Sequence, residues 1–221
     1  MKTWRLGKIR KFRGNDRFYS RAEGAADAAI HVLGELFAIT GGLWLLFHAT
    51  GRSFASVSVY CAGLLAMLTA SAAYNLWPRG NVKDWLRRCD HAAIFVMIAG
   101  TYTPFAVDKL EQPTGKLILV LIWLAAMIGI GLKVLAPRRF EIAGIGLYLG
   151  MGWLIVAVLK SLSVSVAPTD FWLLVGGGLV YSAGVIFYVI ERIPYHKVIW
   201  HGLVLAGVAL HFAAIAGEFA A

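Results

Sequence analysis

The chain has 221 residues, of which 59% are hydrophobic and 15% are charged, and its mean hydropathy is +0.71. This much apolar material exceeds what a soluble domain of the same length carries, so the composition excludes an ordinary soluble enzyme and indicates a membrane protein. The formal net charge is +9, yet the sequence contains no nucleic-acid recognition module, so we expect no nucleic-acid partner. We expect membrane lipids to be its main partners.

Seven apolar segments are long enough to cross a bilayer as helices, which takes roughly 20 residues each. None of them alternates between apolar and polar residues as the strands of a membrane β-barrel do, and helices are the remaining spanning structure. The sequence therefore predicts an all-α membrane protein, with seven transmembrane helices in one domain (23–221) that follows a basic cytoplasmic arm (1–22). The predicted segments are 26–49, 54–77, 91–107, 115–135, 141–160, 170–190 and 198–217.

Lysine and arginine are unevenly distributed over the segments between these spans. With the N-terminus inside, 17 of the 21 Lys and Arg residues fall on the cytoplasmic side, and the others are Arg52, Lys109, Lys116 and Lys160. Because cytoplasmic loops retain positive charge, the sequence predicts a multi-pass protein of the plasma (inner) membrane with its N-terminus in the cytoplasm. An odd number of spans then places the C-terminus outside.

Polar side chains lie near the cytoplasmic ends of four predicted spans, although the rest of each span is apolar. In three of these spans two polar residues stand four positions apart, which puts them on one helix face, and the other begins beside an adjacent Asp and His. Ionisable groups in membrane helices are costly and usually face the bundle interior, so we expect one polar cavity on the cytoplasmic side. Its predicted residues are Asp27, His31, Ser71, Asn75, Asp90, His91, Lys197 and His201.

Two of these residues have simpler explanations when each is taken alone. Asp90 lies near a predicted helix start, where it can act as a cap favoured by the helix dipole. The Ser71 hydroxyl can bond to the backbone of its own helix. Separate caps do not require a common face on four helices, so the shared depth of the set favours a functional site.

Four short motifs fall on the same helices. They are Ser71-Ala-Ala-Tyr-Asn75, the block Asp90-His91-Ala-Ala-Ile-Phe with Gly100-Thr101-Tyr102-Thr103-Pro104, Ile199-Trp200-His201, and His211-Phe212. In these motifs the chain resembles the hemolysin III proteins, the bacterial branch of the progestin and adipoQ receptor family, which is itself similar to the alkaline ceramidases. The resemblance covers residues 23–215. It implies a seven-helix architecture and a role in membrane homeostasis or lipid-linked signalling.

The resemblance also implies a zinc ion held by three histidines, one in the second helix and two in the seventh, with a serine and an aspartate beside it. The matching positions here are Ser71, Asn75, Asp90, Lys197 and His201. Two of the three expected histidines are therefore replaced by an amide, which is a poor zinc ligand, and by an ammonium, which cannot coordinate until it is deprotonated. We expect no metal cofactor at these positions and assign no catalytic residue. A remodelled zinc site of His31, Asp90 and His201 is the alternative.

Lys197 suggests what takes the place of the metal. An unpaired charge in this layer is costly, and Asp90 is the nearest expected anion. We therefore expect the Lys197 ammonium to bridge Asp90 and the side-chain carbonyl oxygen of Asn75, with Ser71 and His201 completing the hydrogen bonds.

Two other functions remain open from the sequence. One is a zinc-dependent lipid amide or ester hydrolase, which the loss of two metal ligands argues against. The other is a proton or ion conduit or pore-forming protein, because chains of Asp, His and Lys in a membrane can relay protons, and His211 lies deeper in the last span. The ligand, a small molecule or a lipid, is not identified by the sequence.

Overall fold

The computed structural model describes residues 20–78, 80–136 and 139–220. All regular elements within these ranges are helices. The predicted basic arm (1–22) lies outside the described residues except for its last three positions. The helices are α1 (Arg21–His48), α2 (Ser53–Leu76), α3 (Asn81–Asp108), α4 (Thr114–Leu135), α5 (Glu141–Gly152), α6 (Leu159–Ser165), α7 (Pro168–Val189) and α8 (His196–Phe219), with a 3₁₀ segment, Trp153–Val158, between α5 and α6.

Within the described ranges, six helical segments are long and apolar enough to cross a membrane, so the chain is a multi-pass membrane protein. Five of them are the single helices α1, α2, α4, α7 and α8, and the sixth runs from α5 to the end of α6. Helix α3 is as long as α1, at 28 residues. It falls outside this group because charged residues such as Arg87 and Arg88 occupy its first third and polar residues such as Thr101 and Thr103 interrupt the rest.

The exposed surface has the character of a membrane-facing surface. Large apolar side chains on several helices are exposed, among them Phe47 (82%), Leu135 (84%) and Val164 (81%). The interior packs others completely, such as Tyr60 and Phe95. Apolar residues on the outside as well as the inside are expected where the surrounding solvent is hydrocarbon.

Helix α3 lies between α2 and α4, while α8 packs against α7 and α1. This order brings the start of α1, the end of α2, and the starts of α3 and α8 to one side of the helix bundle. Close approach of α7 and α8 requires glycine at position 177, because a Cβ atom there would lie 2.2 Å from the His211 ring.

The predicted fifth span is not one continuous helix. The 3₁₀ segment interrupts it, and the Tyr102 hydroxyl from α3 holds the interruption by donating to the Gly152 carbonyl oxygen at 2.9 Å and accepting from the Ile155 N–H at 2.8 Å. A side chain thus satisfies backbone groups that an α-helix would pair internally. The third span also starts ten residues earlier than predicted, because the charged segment from Asn81 continues the helix.

The start of α1 is fixed by a capping box that also positions α8. The Ser20 hydroxyl accepts from the Glu23 N–H at 3.1 Å, and the Glu23 carboxylate accepts from the Ser20 N–H at 2.8 Å. The other Glu23 carboxylate oxygen accepts from the Tyr195 N–H at 3.0 Å. Tyr195 is in the left-handed region (φ 57°) and directly precedes α8. One buried glutamate therefore joins the first turns of both helices.

Candidate functional site

Asp27 is the centre of the polar cluster between α1 and α8. Its Oδ1 accepts from Nδ1 of His201 at 2.6 Å. Its Oδ2 lies 3.5 Å from Nζ of Lys197 and 3.8 Å from Nε2 of His31. Asp27 is 7% exposed, so its charge is largely removed from solvent and is compensated by these neighbours.

His31 stands one helical turn beyond Asp27 and is 5% exposed. Its ring is tilted against that of His201, with 4.6 Å between the centroids and 59° between the planes. Its Nε2 is buried and makes no hydrogen bond with the described residues. Buried polar atoms are normally paired, so this nitrogen marks an unsatisfied position inside the cluster.

On α2 the two predicted polar residues bond to each other. The Asn75 side-chain amide donates to the Ser71 carbonyl oxygen at 2.9 Å and lies 3.3 Å from the Ser71 hydroxyl. Its Oδ1 is buried with no hydrogen-bond partner among the described residues. The predicted bridge from Lys197 to this oxygen is therefore wrong. The hydrogen bond from the Tyr195 N–H to the Glu23 carboxylate fixes the packing of α8 on α1. This packing brings the Lys197 ammonium to Asp27 instead.

Asp90 on α3 is buried behind this cluster, at 9% exposure. Its carboxylate interacts electrostatically with His201 and Lys197 and with the Ser71 side chain. Asp90 and Asp27 are thus two carboxylates on opposite helices that share His201 and Lys197 as neighbours. In the bridge predicted from the sequence, Asp90 alone had this role.

A cavity of about 170 Å³ opens next to the cluster. Most of its wall is apolar, with side chains from α1, α2, α3, α5, α7 and α8. Five of the eight predicted residues line the cavity. The other three, Asp27, Asn75 and Lys197, lie next to residues that do. The polar side chains in its wall include His31, Ser71, Asp90, His91 and His201.

The aromatic part of this wall was not predicted from the sequence. Tyr148, Tyr181 and Trp200 line the cavity, and the Tyr148 hydroxyl donates to the His91 carbonyl oxygen at 2.8 Å. Helical spacing does not show that these residues line a cavity, because aromatic residues in an apolar span face lipid as readily as the interior.

An ion pair beside the cavity was also missed. Arg87 of α3 pairs with Glu141 at the start of α5, and the buried Lys133 of α4 interacts with the same carboxylate. A signal was present in the sequence, since Glu141 is the single acidic residue between positions 115 and 169 and follows two arginines. An isolated acid in a basic segment predicts a salt bridge.

The residues at the zinc positions implied by the resemblance do not fit that ion. Asn75 turns its amide nitrogen, which is not a metal ligand, toward Ser71. Lys197 places an ammonium beside a carboxylate. His201 alone retains an imidazole there. The predicted remodelled set of His31, Asp90 and His201 lines the cavity but is not the set at ligand distance. Among the described residues that set is Asp27, His31 and His201, whose potential ligand atoms all lie within 4.8 Å of one another.

Comparison with known proteins confirms the resemblance inferred from the motifs. Residues 21–212 match the family model described as haemolysin-III related. The chain is 37% identical over 194 residues to the hemolysin-3 homolog of Bacillus subtilis (strain 168), covering 86% of this chain and 91% of that protein. It is 36% identical over 194 residues to hemolysin-3 of Bacillus cereus, with coverage of 86% and 89%. It is 28% identical over 163 residues to the monocyte to macrophage differentiation factor of Homo sapiens, with coverage of 71% and 67%.

Proposed function

The chain belongs to the haemolysin-III family, and we propose that it acts in membrane homeostasis or lipid-linked signalling by binding a single-chain amphiphilic lipid in its cavity. The observation that carries this proposal is the division of the cavity wall. His31, His201, Asp90 and Ser71 adjoin one another in it, and apolar and aromatic side chains form most of the rest. Ligand sites typically combine such an apolar wall with a few convergent polar groups.

The chemistry of the wall favours an amphiphile over a fully polar or fully apolar ligand. The polar groups include imidazoles, a carboxylate and a hydroxyl from four helices, which can donate hydrogen bonds to a headgroup and accept them from it. An acyl chain placed along the apolar wall is removed from water at a gain of about 0.8 kcal/mol per CH₂ group when the alternative is aqueous. A ligand with a polar headgroup and an acyl chain can contact both the polar groups and the apolar wall.

We further propose that the protein has seven spans and a cytoplasmic N-terminus in the inner membrane. The apolar part of α3 is enclosed by α2 and α4, and a helix with 28 residues is about 42 Å long, sufficient to span. The charge asymmetry of the loops supports the orientation. Reporter fusions after Arg88 and after Gln112 test it: we expect the first in the cytoplasm and the second outside, and the reverse result would invert the proposed depth of the polar cluster.

A cavity-filling substitution tests ligand binding directly. Gly178 on α7 lines the cavity, and the nearest atom to a Cβ atom added there is Trp153 Cζ2 at 4.0 Å. Gly178→Leu therefore introduces a side chain into the cavity without a backbone clash. We expect it to weaken binding of radiolabelled lauric acid to the detergent-purified protein by at least tenfold, about 1.4 kcal/mol.

Gly176→Leu is the matched control on the same helix. Gly176 is not in the cavity wall, and the nearest atom to a Cβ atom added there is Leu210 Cδ1 at 3.9 Å, so the added volume is the same and its contacts are equally permissive. We expect lauric acid to bind this variant as it binds the wild type. Equal binding by all three proteins would contradict the proposed ligand site, as would an equal loss in both variants.

A proton conduit is the second candidate, because the same cavity wall contains His211 as well as Asp90 and His201. His211 lies deeper in α8, and its Nε2 is 3.1 Å from the Leu174 carbonyl oxygen. Proteoliposomes loaded with a pH-sensitive dye test this function under an imposed potential. Proton flux that is lost in Asp90→Asn would support it, and flux equal to that of empty liposomes would exclude it.

A further inference from the structure

We propose that Asp27, His31 and His201 form a binding site for a divalent transition-metal ion such as Zn²⁺. This donor set differs from the three-histidine set implied by the family resemblance and shares only His201 with it. The inference does not depend on lipid binding, because it concerns a cluster between α1 and α8 that can be loaded and measured on its own.

The three side chains offer a chemically suitable and compact donor set. Two imidazoles and one carboxylate are common ligands of Zn²⁺ and related ions. Their potential ligand atoms all lie within 4.8 Å of one another. In a tetrahedral zinc site with bonds of about 2 Å, ligand atoms are separated by roughly 3.3 Å, so small side-chain rotations bring these three atoms to the required positions.

His31 supplies the independent observation that points to a ligand. It is 95% buried by residue exposure, and its Nε2 faces Asp27 at 3.8 Å without any hydrogen bond to the described residues. A buried ring nitrogen without a hydrogen bond is costly, and a metal ion bound through its lone pair would satisfy it. Asp27 and His31 are four residues apart on α1, so the helix itself holds them on one face.

Lys197 acts as a built-in competitor for this site. Its ammonium lies 3.5 Å from the Asp27 carboxylate oxygen that also faces His31. A cation already at that oxygen opposes the binding of a dication, because like charges at close range repel strongly in a partly buried site. The Lys197 side chain is 27% exposed, which gives it a path away from Asp27 when a metal ion binds. The site is thus one in which an ammonium and a metal ion exclude each other.

Zinc titration of the full-length, tag-free protein in detergent tests the proposal. The protein is stripped with a chelator, and its affinity for zinc is measured by competition with a chromogenic chelator, with bound metal counted by elemental analysis. We expect one zinc ion per chain. We expect His31→Ala and His201→Ala to weaken zinc binding by about 100-fold, since loss of even an outer-shell partner costs 10–100-fold.

Lys197→Met gives the opposite prediction and cannot be explained by misfolding. Removal of the competing ammonium should tighten zinc binding by at least about tenfold relative to the wild type. His48→Ala is the matched control, because His48 is a second histidine on α1 that lies at the other end of the helix, stacked on Trp44. Its zinc binding should equal that of the wild type.

Two outcomes would overturn the proposal. One is zinc binding that His31→Ala and His48→Ala leave equally unchanged. The other is the absence of stoichiometric zinc from both the wild type and Lys197→Met. Either result, obtained with protein that still binds lauric acid, would remove the metal site alone and leave the proposed function standing. Stoichiometric zinc binding by protein that does not bind lauric acid would contradict the proposed lipid-binding function and leave the metal site standing.

Discussion

The two ends of α8 both carry a buried carboxylate cluster, but the clusters differ in how completely they are paired. At the end of α8, each oxygen of the Glu218 carboxylate has a hydrogen-bonding or ionic partner, and the buried Asp170 carboxylate of α7 lies beside it. Oε2 pairs with the Lys109 ammonium, and Oε1 accepts from the Ala167 N–H. These contacts join the end of α8 to the end of α3 and to the start of α7. Both oxygens of the Glu218 carboxylate are thus used in contacts between helices.

At the start of α8, one carboxylate is shared by three basic side chains. Asp27 contacts His201 and Lys197, while His31 approaches the same carboxylate without a hydrogen bond of its own. This cluster adjoins the cavity, whose wall includes both histidines. The difference indicates that the Glu218 cluster serves stability, whereas the Asp27 cluster retains an unsatisfied group next to a cavity, as a binding site does.

Removal of the central charge should have the largest effect. We expect Asp27→Asn to lower the free energy of unfolding by about 3 kcal/mol, because it removes a charge that compensates Lys197 and the charged acceptor of the buried His201 hydrogen bond together. Reversible unfolding of the purified protein by a denaturing detergent measures this loss. A change below about 1 kcal/mol would show that the cluster contributes little to folding.

Loss of the carboxylate charge in the Glu218 cluster should lower the free energy of unfolding less. We expect Glu218→Gln to lower the free energy of unfolding by about 1–2 kcal/mol, because the amide oxygen can still accept from Ala167 and the neighbouring Asp170 carboxylate still interacts with the Lys109 ammonium. The same unfolding assay measures the loss. A loss as large as that of Asp27→Asn would remove the distinction between the two ends of α8.

The smallest effect should come from the unsatisfied histidine. In chelator-treated protein we expect His31→Leu to leave the free energy of unfolding within about 1 kcal/mol of the wild type or to raise it. The reason is that a buried nitrogen without a partner is replaced by an apolar group of similar size. A loss above about 2 kcal/mol would mean that His31 makes a stabilising contact in the metal-free protein and is not held for a ligand.

Much of the fold follows from the sequence because apolar segments of about 20 residues have few alternatives in a membrane. The predicted second and fourth spans, 54–77 and 115–135, agree with α2 and α4 to within a residue at each end. The interruption after Gly152 could not be predicted, because it depends on a hydroxyl from α3, fifty residues away along the chain. Local composition does not report such a contact.

Helical spacing predicts which polar residues share a helix face, but not how they pair between helices. Helical spacing placed Asp27 with His31 and Lys197 with His201. The choice of Asp90 as the partner of Lys197 was wrong in detail because it assumed that the third helix, not the first, faces the lysine most closely. The Glu23 contact to Tyr195 decides that packing. It links residues 172 positions apart, and no periodic pattern encodes it.

A double-mutant cycle on Asp27 and Lys197 tests the central claim, that Asp27 is the shared anion of the polar cluster. We expect Asp27→Asn and Lys197→Met each to destabilise the protein, and the double variant to recover part of the loss, with a coupling energy of about 1–3 kcal/mol. The same cycle with Asp90→Asn should give less than half that coupling. Additivity within about 0.5 kcal/mol for Asp27, or a larger coupling for Asp90, would contradict the account.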